Sequence, residues 1–350
     1  MKLKIQSLLL FFTISFFACK TNKDLTRLSL SETQHVVFLD SIAAAKTIIV
    51  DQKENFFKDI TKTDMSIQMK KVFAETVTRE QAVKEYQAFL KTEVVDFTEA
   101  EVTLVKKVMQ KVYDNANQLS PNIFPKQIRL IKTHANHYGP GTYYTREDCI
   151  IIPKFALSTF DEEGFYSTML HELFHIYSRY NPEMQKALYQ LIGFKAISNP
   201  EHLKMSDALK NRILLNPDGV NYAFAINLET QDKKQIQAIP IIVSNENGYV
   251  TNKSEFFAYL NFSLYKIEPP LSRLIPVKAD KDGFSTLKLN ELPDFFRQIK
   301  DNTNYIIHPD EIMADNFMIL INSFNKDGAL DQYSKEGQTL LMDIKKLLMK

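Results

Sequence analysis

The sequence has little that would tie it to a nucleotide, a nucleic acid or a disulfide scaffold. No G-x-x-x-x-G-K-[ST] or G-x-G-x-x-G pattern occurs in its 350 residues, so no glycine-rich phosphate cradle is encoded. Neither sign of charge is in excess. There are 43 lysines and arginines against 42 aspartates and glutamates, which leaves no electrostatic footprint for nucleic acid. Proline- or glycine-rich tracts, low-complexity segments and internal repeats are missing, which excludes collagen-like and solenoid architectures. What remains is an ordinary globular composition, 45% hydrophobic and 24% charged. The chain is long enough to bury a substantial core in one large domain or two.

Cysteine is nearly missing too, and where the two cysteines fall is informative. Met1–Lys4 carries two lysines, and an apolar run from Leu8 to Ala18 ends at Cys19. That run is too short to span a bilayer and reads as a signal-peptide core. Its end, "FFAC", resembles a bacterial lipobox, in which a small residue precedes the cysteine that is acylated. Phe16 and Phe17 depart from that pattern, but Phe16 also spoils the small-x-small site of a freely secreted protein. A lipoprotein is therefore expected: signal peptide 1–18, lipid on Cys19, tether 19–30. It would be extracytoplasmic and anchored to a bacterial envelope membrane, the outer one if there are two. Cys149 is then without a partner for a disulfide, and in "DCIIIP" it reads as a buried thiol.

Beyond the tether, residues 31–125 read as a helical N-terminal region. Val102, Val105, Val108, Met109 and Val112 recur at three- and four-residue spacing, the mark of an amphipathic helix. Thr98 with Glu101 fits a capping box before it. Residues 126–350 read as the core domain. "KQIRLIKT" and "TYYTREDCIIIP" are strand-like around the turn signal "NHYGPG". A helix follows from Asp161 to Tyr180 and stops at Asn181-Pro182. Asn247-Gly248 in "IPIIVSNENGYV" suggests a hairpin. "KSEFFAYLNFSLYKI" reads as helical, as do "HPDEIMADNFMILINSF" with Pro309 at its first position and a last helix over about 334–348. The fold class expected is α+β, helix-dominated, with a small sheet before the 161–180 helix.

That helix carries "HELFH": His171, Glu172 and His175. At about 100° per residue these three share an arc of about 100°, while Leu170, Leu173, Phe174, Ile176 and Tyr177 fill the other side. Histidines at i and i+4 can aim ring nitrogens at one zinc ion, and the adjacent glutamate can take a proton from the attacking water. A catalytic zinc normally has a third protein ligand. The local extension used by metzincins, HExxHxxGxxH, fails here because Ser178 and Asn181 occupy its two further positions. A downstream acid is expected instead. Glu311 is preferred, because Asp315 follows one turn later on the same helical face and can accept an imidazole N–H. Glu255, in "SEFFAYL", is the alternative ligand. For the donor that stabilises a developing oxyanion, Tyr222, Tyr249 and His308 are candidates. His134 and His137 flank the turn and read as surface loop. Phe256, Phe257 and Tyr259 read as core.

"HELFH" together with "EIMAD" resembles the glutamate-zincin (gluzincin) metallopeptidases, whose third ligand sits in an E-x-x-A-D or E-x-x-x-D segment. The resemblance covers those two motifs and the strand–helix order before the first. It implies a zincin-like fold, one zinc on His171, His175 and Glu311, Glu172 as general base, and Asp315 behind a ligand. Substrate class does not carry over, because 135 residues separate His175 from Glu311; a polypeptide substrate is expected from the peptidase reading itself. A zincin-like lipoprotein that binds an envelope or polypeptide partner without turnover is the alternative reading; the intact Glu172 argues against it.

Overall fold

The computed structural model describes residues 26–218, 221–253, 255–324 and 326–350. The expected signal peptide and the expected lipidation site Cys19 lie outside them. The architecture is α+β with more helix than strand.

A six-stranded mixed sheet organises the first half. It comprises β1 (Arg27–Ser29), β2 (His35–Phe38), β3 (Val94–Val95), β4 (Gln127–Thr133), β5 (Tyr144–Arg146) and β6 (Cys149–Pro153). Its order is β1-β2-β4-β6-β5, with β3 also against β4. β2, β4 and β6 run parallel, and β5 is an antiparallel edge. In β6 every residue is buried, and successive side chains enter opposite cores. Ile150 and Ile152 join one hydrophobic cluster, Cys149 and Ile151 the other. Burial on both faces is what a continuous apolar run in a parallel strand provides for. Cys149 is thus a buried free thiol.

Two sequence boundaries change. The segment expected as tether, 19–30, enters the fold at its end, because Arg27–Ser29 pairs with β2. The 31–125 region is not a purely helical layer either, since it supplies β2 and β3 to the sheet that holds β4 and β6. Its helices do pack as the periodicity predicts. Helix Glu99–Leu119 buries Val102, Val105, Val108, Met109, Val112, Ala116 and Leu119 against the sheet, and Thr98 and Glu101 form a complete capping box. Thr98→Ala removes the acceptor for the Glu101 backbone N–H. It is expected to cost about 1 kcal/mol, read as a lower urea midpoint at unchanged slope. An unaltered midpoint would show that this helix end is held by packing alone.

The second half contributes a four-stranded antiparallel sheet of β7 (Phe194–Ala196), β9 (Phe224–Glu229), β10 (Gln235–Ser244) and β11 (Leu260–Ile267), ordered β11-β10-β9-β7. A short parallel pair joins β8 (Leu203–Lys204) to β12 (Ile275–Pro276). Here "KSEFFAYLNFSLYKI" is not a helix. Only Phe256–Tyr259 makes a 3-10 turn, and Leu260–Ile267 is a strand paired along all of its length with β10. The Asn247-Gly248 step does not close a tight hairpin. β10 ends at Ser244 opposite Leu260. The tip docks instead on helix Lys62–Gln68, where the Tyr249 N–H donates to Ser66 Oγ at 3.0 Å.

Two helices set the site. The motif helix, Glu162–Tyr180, lies between the first sheet and the acid helix, Pro309–Asn322. Phe174 and Phe317 meet between them with ring centroids 5.6 Å apart. The final helix, Lys335–Leu348, covers this pair with Leu340, Leu341, Ile344 and Leu348.

Candidate metal centre

The face of the motif helix that carries His171, Glu172 and His175 is not turned to solvent. It faces the acid helix across a cavity of about 310 Å³. The acid helix begins at Pro309, whose missing N–H costs nothing at that position. His308 is its N-cap, its Nδ1 accepting the Asp310 N–H at 3.1 Å. The first turn therefore presents Asp310 and Glu311 together, and Asp315 lies one turn further along the helix.

His171 Nε2 lies 3.1 Å and His175 Nε2 3.4 Å from the same oxygen, Glu311 Oε2. The other nitrogen of each ring is held by its own carboxylate: His171 Nδ1 by Asp315 Oδ1 at 2.8 Å, His175 Nδ1 by Asp310 Oδ2 at 2.6 Å. Those bonds fix both rings with Nε2 inward. Asp310 is in turn satisfied by the Ser178 hydroxyl at 2.7 Å and the Tyr189 hydroxyl at 2.5 Å. Asp315 accepts from Thr303. The outer oxygen of Glu311 accepts from Asn216 Nδ2 at 2.5 Å.

This donor set fits zinc. Two imidazoles and a carboxylate are a zinc ligand set, and tetrahedral ligands at roughly 2.0–2.1 Å from the ion stand about 3.3 Å from one another. His175 Nε2 is buried and without a hydrogen-bond partner, which is costly unless something else uses it. The charges point the same way. Burial opposes a charged imidazole, yet the Asp315 and Glu311 bonds hold His171 up at about 10. His175 is raised as well, by Asp218, Glu311 and Asp310 against its burial. Burial alone would raise Glu311, and the two imidazoles instead keep it well below the usual carboxylate range. Such a site attracts positive charge, which a dication supplies without protons.

Glu172 is 3% exposed, lines the same cavity, and has an unpartnered Oε2. Burial, and after it the Asp218 carboxylate, push it up to about 8. Asp218 is the next group along. Its Oδ1 accepts from the Thr145 N–H at 2.7 Å and the Thr145 hydroxyl at 2.8 Å, and its Oδ2 stands 4.0 Å from His175 Nε2. Tyr305 stacks on His171 at 6.1 Å and also lines the cavity. Burial, then Glu311, Asp218, Glu172 and Asp315, raise its phenol far above its ordinary value, so it remains a donor.

The structure brings His171, His175, Glu311, Glu172 and Asp315 into one site. Glu255 is elsewhere: it is exposed at the start of the Phe256–Tyr259 turn, with its carboxylate over Gly139. None of the three donors proposed from sequence lines the cavity. Tyr222 packs on the second core. Tyr249 lines another cavity. His308 caps the acid helix. His137 is not a surface residue; it is buried, 3.0 Å from the Tyr144 hydroxyl. Phe256 and Tyr259 are core, but Phe257 is half-exposed and lines the site cavity. Asp310, Asn216, Asp218 and Tyr305 went unread in the sequence. Asp310 had a usable signal, a second acid in the first turn of the helix expected to hold a ligand. Asn216 and Asp218, in the turn "NPD", had none.

No family model, curated protein or solved structure matches the chain.

Proposed function

We propose that the chain is a zinc-dependent peptidase of the glutamate-zincin kind, with a zincin-like core, held to a bacterial envelope membrane by lipid on Cys19. One observation carries the reading: two imidazole Nε2 atoms converge on Glu311 Oε2 at 3.1 and 3.4 Å, each ring backed by its own aspartate. Zinc bound there supplies Lewis-acid chemistry, acidifying water and polarising a carbonyl oxygen. The protein's residues do the rest. Glu172 takes the proton of the attacking water on Oε2 and hands it to the leaving amine. Tyr305 donates its hydroxyl hydrogen towards the carbonyl oxygen as charge develops there. Asp310 and Asp315 keep the rings in one tautomer. A polypeptide substrate is supported by the segment that precedes β5. Residues 141–143 line the cavity and are not buried, so their backbone groups can meet an extended peptide there.

The test is metal content. The purified chain is expected to carry about one zinc. Glu311→Ala should lose most of it, whereas Glu255→Ala should keep it. Zinc lost only from the Glu255 variant would reassign the ligand, and a wild-type chain without zinc after chelator-free purification would sink the site.

A further inference from the structure

We infer that Asp218 binds a substrate ammonium group beside the scissile carbonyl, so that the favoured substrates carry a free α-amino group on the residue being cleaved off. The inference rests on the zinc-peptidase reading and deepens it.

The cavity has a one-sided charge. Glu172, Asp218, Glu311 and Asp315 line it, and among the described residues lining it none is lysine or arginine. Glu311 and Asp315 are engaged by the histidines. Glu172 and Asp218 are not neutralised in that way. Asp218 is 5% exposed. Thr145 occupies its Oδ1 twice, and no donor among the described residues is bonded to its Oδ2. Beside it stand two buried atoms without partners, Glu172 Oε2 and His175 Nε2. A carboxylate that lines the cavity beside them is placed to accept a cation or a donor from a ligand.

Asp218 is also a built feature. The Asn216 side chain accepts the Asp218 N–H at 3.1 Å while donating to Glu311, and the buried Arg179 guanidinium donates to the Asp218 carbonyl at 2.8 Å. The turn thus fixes Asp218 and Glu311 together.

Position selects which ammonium. Asp218 Oδ2 is only 4.0 Å from His175 Nε2, so it can reach a charge close to the reacting carbonyl. An α-nitrogen lies about 2.5 Å from its own carbonyl carbon, two bonds away. A lysine side-chain ammonium lies several bonds further out. A metal-ligand role for Asp218 is less well placed. Its Oδ2 stands 4.0 Å from His175 Nε2, whereas Glu311 Oε2 stands 3.1 and 3.4 Å from the two imidazoles; with Glu172 and His175 it makes a second group that could hold a metal.

The experiment compares L-leucine hydroxamate, whose hydroxamate binds zinc and whose amine is free, with its N-acetyl derivative. Binding to the zinc-loaded full chain in detergent is measured by calorimetry. The free amine is expected to bind about 10- to 100-fold tighter, the range of a close, desolvated charge pair. In Asp218→Asn, which can still accept from Thr145, that preference should collapse to near unity with zinc content unchanged. Equal binding of the two compounds to the wild-type chain overturns this inference alone. Preference retained in Asp218→Asn overturns it too, and zinc lost from that variant moves Asp218 into the ligand set instead. Binding of neither compound overturns the zinc reading and takes this inference with it.

Discussion

Glu172→Gln is expected to keep one zinc per chain and to lose roughly 10²–10⁴-fold in peptide hydrolysis, the usual contribution of a positioned proton acceptor. The substitution is nearly isosteric, and glutamine has no carboxylate to take a proton. Folding should not suffer. Glu172 is buried, its Oε2 has no partner, and burial raises its pKa to about 8. A neutral amide of nearly the same shape avoids the burial cost that raises the Glu172 carboxyl. The variant should therefore melt no lower than the parent, which separates lost chemistry from lost structure. The measurement is turnover of a quenched-fluorescent peptide library alongside elemental analysis and a thermal melt. Hydrolysis at the parental rate would remove Glu172 as the base. A zinc-loaded parent that hydrolyses no peptide would instead favour a binding protein that keeps its metal only as a structural centre.

The site was legible in the sequence wherever its spacing is local. His171 and His175 stand on one helix face, and Glu311 and Asp315 repeat the i, i+4 relation on another. These four meet because each helix carries its apolar side into the same core, Phe174 against Phe317. What joins the two helices is long-range and left no periodic trace. Asn216 and Asp218 sit in an irregular turn where no pattern marks a side chain's direction. Asp310 was hidden by its neighbour, because a helix start favours acids for reasons unrelated to function. The misread fold element has a different cause. In "EFFAYLNFSLYKI" the aromatics recur at spacings that suit a helix. β10 nevertheless needs a partner along its buried length, and tertiary pairing prevails over local periodicity. Likewise the sheet recruits Arg27–Ser29, whose three residues offer no strand signal of their own.

Arg179→Met is expected to destabilise the fold by about 3–5 kcal/mol, the cost of removing one partner from a buried ion pair. The guanidinium, at the end of the motif helix, joins four parts of the chain. Its Nε meets Glu54 at 2.6 Å, and its other nitrogens meet the Glu147 carbonyl at 2.9 Å and the Thr145 hydroxyl and Asp218 carbonyl at 2.8 Å each. Methionine fills much of the volume and satisfies none of these acceptors, so the loss is electrostatic rather than a cavity. The pH dependence has a definite sign. Burial outweighs the Arg179 cation and raises Glu54 from 4.5 to about 7. A folded-state pKa raised in this way gives stability that is present below about 4.5 and lost as pH rises through about 7. Without Arg179 the charged form is poorer still, so the variant's deficit should be larger at pH 8 than at pH 5. Adding Glu54→Leu should recover part of the deficit at pH 8, because the stranded charge is then gone. Recovery should be incomplete, since the Glu147 and Asp218 carbonyls still lack their donor. Urea midpoints of the parent and the two variants at both pH values decide it. A deficit independent of pH, with no recovery in the double variant, would mean that Glu54 is not stranded and that Arg179 acts through its carbonyl bonds alone. Because the same guanidinium holds the Asp218 carbonyl and the Thr145 hydroxyl that bonds Asp218 Oδ1, Arg179→Met should also weaken hydroxamate binding more for the free amine than for the acetylated compound.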